Sequence, residues 1–215
     1  MRGNYGCVKN EVEGNKWIKL AAKNDENSPG SLCAQGICYE MGIGGVVIKN
    51  KDKAKECYTK AVEQGYIPAL CELGITLMEE AITTTTSSGH TGGYNQTATH
   101  THKDEEKLAI AVKLLTTASE AGYAPAIDAL AYCYARGYGV AEDKKEAFKL
   151  CRMAAEKGSA KAKRNIGIFY EGGDVGRSAG IERNKAEAKK WFLEANAQGY
   201  DVQKDLNRIK TCAIL

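Results

Sequence analysis

Histidine is almost missing from this sequence. Three occur in 215 residues, His90, His100 and His102, and all fall in one Thr-rich stretch. A Ser-His-Asp or Cys-His arrangement needs a positioned imidazole, which the rest of the chain cannot supply. Carboxylate acid–base chemistry is left, but no pocket is implied for it. The chain therefore reads as a non-enzyme without cofactor or metal. Its eight cysteines, at 7, 33, 38, 57, 71, 133, 151 and 212, never take the CxxC spacing of zinc ribbons or thioredoxin-like redox pairs. A charge excess is lacking as well. There are 30 Lys and Arg against 27 Asp and Glu, a formal charge of +3, and no basic cluster interleaved with aromatics. A nucleic-acid footprint would need one. No apolar run reaches transmembrane length. The opening MRGNYGCVKNEVEGNK lacks the apolar core of a secretory signal, and Arg2 stands where N-myristoylation needs Gly. The expectation is a cytoplasmic protein whose cysteines stay reduced and pack as small hydrophobes.

What is present is a repeat. Gly65, Gly122, Gly158 and Gly199 close the Ala-containing stretches KAVEQGY, TASEAGY, MAAEKGS and EANAQGY. Their spacings are 57, 36 and 41, and removing inserts of 21 and 5 leaves a common period of 36. Upstream, Ala54/Ala61, Ala111/Ala118, Ala147/Ala154 and Ala188/Ala195 are seven apart, about two helical turns, so each pair faces one neighbour. After Gly65, Gly122 and Gly158 comes a second helical signature with a small residue at its centre, Gly74, Ala131 and Gly167, and an earlier copy is centred on Gly36. In the second copy Leu70, Leu73, Gly74 and Leu77 share one face. The unit is helix, turn, helix, Gly stop. Asn50, Asp143 and Asn184 are placed to cap the second helices, and the closing Gly is the usual left-handed terminator. Nothing alternates as a strand does. A unit this small cannot bury its apolar face alone, so neighbours must stack.

The stretch ALAYCYARGYGVAEDKKEAFKLCRMAAEKGSAKA, residues 129–162, resembles the Sel1-like repeat, a relative of the tetratricopeptide repeat. The resemblance implies an all-α, right-handed alpha-alpha superhelical solenoid over residues 15–200. An N-terminal segment (1–14) precedes it. A capping helix (201–210, with Val202, Leu206 and Ile209) and a tail (211–215) follow. Trp17, Ile18 and Ala21 fit a partial first repeat. Two departures stand out: Ala131 replaces the central Gly, and the second full repeat has lost its Gly-Val turn to the insert 82–103. That insert is polar and poor in aliphatics, and reads as a loop that cannot repay the entropy of ordering. A cysteine-rich, secreted, penicillin-binding subset of these repeat proteins pairs two Cys eight apart. Here those positions hold Val62 and Leu70, so the subset is the rival reading. A structural subunit of a large assembly is a third.

Stacked helical pairs curve, and the first helix of each pair lines the inner face. Two columns of that helix are expected to point into the groove. The residue three before the central small residue gives Cys33, Cys71, Asp128 and Arg164; the residue just after it gives Ile37, Ile75, Tyr132 and Ile168. The second column is an apolar row on a wet face, fit for docking a peptide or helix. The change of sign from Asp128 to Arg164 would give the ligand a direction. The function expected is a protein-binding adaptor or scaffold. The last six residues, KTCAIL, carry a prenylation pattern at Cys212, with terminal Leu matching the geranylgeranyl class. One prenyl chain gives only weak contact with the cytoplasmic face of a membrane. Sel1-like repeats with such a tail also resemble the fungal chitin-synthase activator family, which recruits a membrane enzyme; the likeness is architectural and carries no residue across.

Overall fold

A computed structural model describes residues 27–42, 48–91 and 94–211, together with Leu20 and Lys23. The partial first repeat around Trp17 and the tail at Cys212 lie outside the described residues. In chain order the elements are α1 (Pro29–Met41), α2 (Lys51–Glu63), α3 (Ile67–Ala81), β1 (Ile82–Thr91), β2 (Tyr94–Lys103), α4 (Glu105–Glu120), α5 (Ala124–Arg136), α6 (Lys144–Glu156), α7 (Ala160–Glu171), α8 (Asp174–Ser178), α9 (Lys185–Ala197) and α10 (Gln203–Thr211). The helices pack in pairs, α1 with α2, α3 with α4, α5 with α6, and α7 with α9. Each pair leans on the next through α2 and α3, α4 and α5, or α6 and α7, and α10 closes the row against α9. This is the helical solenoid that the repeat period requires.

Each predicted joint is visible at atomic level. The four repeat-closing glycines have φ of 76°, 79°, 90° and 78° in chain order, the left-handed region that favours Gly. The residue after each, Tyr66, Tyr123, Ser159 or Tyr200, donates its N–H to the carbonyl of Ala61, Ala118, Ala154 or Ala195 at 3.0–3.1 Å. That bond satisfies a carbonyl of the last turn. All eight paired alanines are 0% exposed. The absence of longer side chains there lets the two helices of a pair approach closely.

The central small residues face the middle of the second helix. A Cβ on Gly167 would lie 2.5 Å from Phe192 Cε1, and one on Gly74 would lie 3.0 Å from Leu115 Cγ. One on Gly36 would overlap the Tyr58 ring. In the third repeat the residue corresponding to Tyr58, Leu115 and Phe192 is Cys151. A smaller partner leaves room for the methyl of Ala131, so the departure from Gly is matched across the pair.

The second helices start where capping chemistry puts them. Asn50, Asp143 and Asn184 accept from Lys53 N, Glu146 N and Glu187 N at 3.0, 2.9 and 3.0 Å. Asp104, which the period does not single out, caps α4 in the same way from Lys107 N at 3.1 Å. A second bond recurs at the same place. The N–H of each capping residue reaches back to the first helix, from Asn50 to Tyr39 O, Asp104 to Ala81 O, Asp143 to Tyr134 O and Asn184 to Tyr170 O, at 2.8–2.9 Å.

The insert corrects the expectation of a loop and of a chain without strands. It is an antiparallel hairpin, with Ile82 paired to Lys103 and Thr91 to Tyr94. The physical reason lies in the composition that argued for disorder: its Thr residues are β-branched and favour extended backbone. Gly92 and Gly93, outside the described residues, separate the strands, and a Gly-Gly pair between extended runs is a hairpin signal. The hairpin leaves the repeat intact because Asp104 still bonds to Ala81, one turn beyond the position its counterparts use.

Candidate protein-docking face

The first expected column does not face solvent. Cys33 and Cys71 are buried, and Asp128 is 4% exposed. Asp128 accepts a short hydrogen bond from the Ser159 hydroxyl, which in turn accepts from Ala162 N at 3.1 Å as the cap of α7. Burial raises the Asp128 carboxyl above the ordinary carboxylate range, while the Ser159 bond and nearby Lys161 act the other way. Arg164 is half-buried and grips Asp205 of α10 with two bonds, 2.6 Å from Nε and 3.1 Å from Nη2. Asp205 also takes Arg208 at 3.0 Å, and Arg208 reaches Glu171 of α7 through both nitrogens. Asp128 and Arg164 are therefore struts to the next unit, and the sign change between them gives no direction to a ligand. The reason is rotational: the column three residues before the centre turns toward the following repeat's first helix.

The second expected column is partly accessible, its three isoleucines packing in part against the core. Ile37, Ile75 and Ile168 are half-buried, and Tyr132 is 41% exposed. Tyr132 sits edge-on to Tyr138, ring centres 5.6 Å apart. The Arg136 guanidinium stands 5.8 Å from the Tyr132 ring, and Lys103 Nζ stands 4.9 Å from the Tyr138 ring. The period does not single out Lys103, Arg136 or Tyr138. The i,i+4 spacing of Tyr132 and Arg136 is the signal that places that pair on one face.

One buried polar knot escaped the sequence entirely. Glu40 at the end of α1 accepts from Tyr58 Oη at 2.8 Å and from Thr76 Oγ1 at 3.4 Å, tying α1, α2 and α3 together. The six described cysteines are free, and burial pushes Cys33 and Cys151 up to about 12 and Cys133 to about 11. Burial thus keeps these three in the thiol form near neutral pH. A cleft of about 330 Å³, lined by Leu32, Gln35, Cys57, Lys60 and Gln64 among others, holds one thiol, Cys57, also raised by burial. Among the described residues no three of His, Cys, Asp and Glu gather as a metal site, and no helix is long and apolar enough to cross a membrane.

Comparison with known proteins agrees with this geometry. The family model for the Sel1 repeat matches residues 1–26, 32–66, 124–159 and 160–200. Among curated proteins, the chain is 28% identical over 201 residues to the chitin synthase regulator SKT5 of Malassezia restricta, covering 93% of this chain and 12% of that protein. It is 27% identical over 207 residues to the SKT5 of Saccharomyces cerevisiae, covering 95% and 26%. The chain thus spans a small part of these relatives' length. Two solved structures have the same fold. One is a protective antigen of uropathogenic Escherichia coli with an SLR fold, at 25% identity and TM-score 0.58 over 86% of this chain and 33% of that one. The other is a Sel1 repeat protein from Oxalobacter formigenes, at 24% identity and TM-score 0.58 over 87% and 65%.

Proposed function

The chain belongs to the Sel1 repeat family, and from that premise we propose that it is a non-catalytic adaptor that holds a peptide or helix on the face formed by its first helices. The observation that carries this is the partly accessible row of Ile37, Ile75, Tyr132 and Ile168, one apolar side chain from each of α1, α3, α5 and α7. A contiguous apolar row in step with the repeat is a docking surface, whereas single exposed apolar residues mean little. The free thiols weigh against the rival, disulfide-clamped penicillin-binding type. The names of the curated relatives make a chitin synthase the first partner to test. Substituting Ile75→Asp, or Tyr132→Asp at the exposed member, places a charge in the row; Ile75 is half-buried against the core and Tyr132 is 41% exposed. The variant keeps its helical circular dichroism and loses the co-purified partner; retention of every partner by a folded variant would remove the proposal. Membrane contact through Cys212 belongs to the same reading on the tail pattern alone. A cell-free assay with labelled geranylgeranyl donor tests it, with incorporation expected and abolished by Cys212→Ser.

A further inference from the structure

The row is not chemically uniform. Around its exposed member, Tyr132, the structure gathers cations from three elements: Lys103 at the end of β2, Arg136 on α5 and Lys161 on α7. Lys161 and Arg136 both act on the Tyr132 hydroxyl electrostatically, as does Tyr138. Among the described residues none of the three cations forms a close ion pair, and Lys161 acts on the Asp128 carboxylate from a distance. The nearest acid on the same helix, Asp128, is buried and committed to Ser159. On α3 the acids are already engaged, Glu79 with Lys51 at 3.8 Å and Glu80 with Lys55 at 3.0 Å. The ring faces of Tyr132 and Tyr138 hold Arg136 and Lys103 in place, at 5.8 and 4.9 Å from the ring centres, without neutralising them.

We infer that Tyr132 and Tyr138, with Lys103, Arg136 and Lys161, form the recognition end of the docking face and take an acidic peptide segment. This rests on the adaptor reading above and names the partner's chemistry. Charge complementarity commits the site to carboxylates spaced along a chain. Arg136 and Lys103 sit over different rings and Lys161 stands on a third element, so their charge is spread along the face. A single phosphate would call for donors converging on one point. The tyrosine pair supplies apolar area for a side chain between the carboxylates.

The test uses the full chain and a fluorescein-labelled peptide of alternating Glu and Leu, read by anisotropy. Its Lys-for-Glu counterpart, inorganic phosphate and phosphatidylserine vesicles serve as competing probes. Expected is binding of the acidic peptide alone, weakened by added salt, and weakened about tenfold in Lys103→Glu with Arg136→Glu. Tyr132→Ala weakens it too, with unchanged circular dichroism in both variants. Equal binding of the Lys peptide, indifference to the charge reversals, displacement by phosphate, or vesicle binding without peptide binding each overturns the inference. A chain that ignores the acidic peptide yet loses its partner on Ile75→Asp sinks this inference alone. A chain that keeps its partner on Ile75→Asp sinks the reading beneath it.

Discussion

The third and fourth repeats have the same period and the same register, yet they fill two corresponding positions in opposite ways. At the centre of the pair, the third repeat sets Ala131 with Cys151 and the fourth sets Gly167 against Phe192. At the strut to the next unit, the third uses the acid Asp128 on the Ser159 hydroxyl and the fourth uses the base Arg164 on the Asp205 carboxylate. The repeat therefore specifies geometry and leaves chemistry open. What the two share is a buried position filled from both helices, with different volumes, and a hydrogen-bonded link to the next unit.

The largest break in that comparison comes from the bulky partner. Phe192 is 0% exposed and fills the space that Gly167 leaves. Phe192→Ala opens a cavity and costs about 3–5 kcal/mol, the usual range for such truncations. Cys151→Ala removes one buried sulfur and costs about 1–2 kcal/mol by the same reasoning. Urea denaturation followed by circular dichroism checks both, and equal losses would mean that the two centres are not packed as volume pairs. Next in size is the small side of the pair. Gly167→Ala sets a methyl 2.5 Å from Phe192 Cε1, too close without movement, and costs about 1–3 kcal/mol despite the better helix propensity of Ala. Combining it with Phe192→Leu recovers part of that loss, because the smaller partner recreates the Gly74–Leu115 pair with one extra methyl.

How much was legible follows from the range over which each feature is set. The Gly stops, the buried Ala pairs and the caps at Asn50, Asp143 and Asn184 are decided by neighbours within a turn or two. Period and propensity therefore reached them, and the solenoid with them. The exposure of Tyr132 was legible because it sits next to the central small residue, while its counterparts Ile37, Ile75 and Ile168 are half-buried. The first column was not. Its direction depends on where the following repeat's helix lies, and its chemistry on Ser159 and Asp205, which are 31 and 41 residues from their partners. A polar side chain at Asp128 looked like evidence of water when it was evidence of a distant hydroxyl. The hairpin was missed because its strands are polar on both faces. Alternation, the usual strand signal, marks only strands with one buried face.

The finest test of the comparison is whether the two struts differ in their response to pH. Burial raises the Asp128 carboxyl, and the Ser159 bond and Lys161 only oppose that shift. The folded state therefore holds the proton more tightly than the unfolded chain does. The stability tied to this group is fully present below the ordinary carboxylate range and is lost as pH rises through the raised value. Asp128→Asn keeps an oxygen for the Ser159 hydroxyl and removes the buried charge. At neutral pH the variant has a higher urea midpoint than the parent, by less than the glycine substitution changes it, and the gap closes as pH falls below the ordinary carboxylate range. Cys151, which feels the Asp128 charge, becomes slightly easier to ionise in the same variant, so its alkylation at high pH quickens. At the other strut the sign reverses. Arg164→Gln strands the Asp205 carboxylate with Arg208 as its remaining cation, so that variant loses stability at neutral pH. A pH-independent gap for Asp128→Asn would show that Asp128 takes up its proton equally in the folded and unfolded chain, and would remove the pH response expected of this strut.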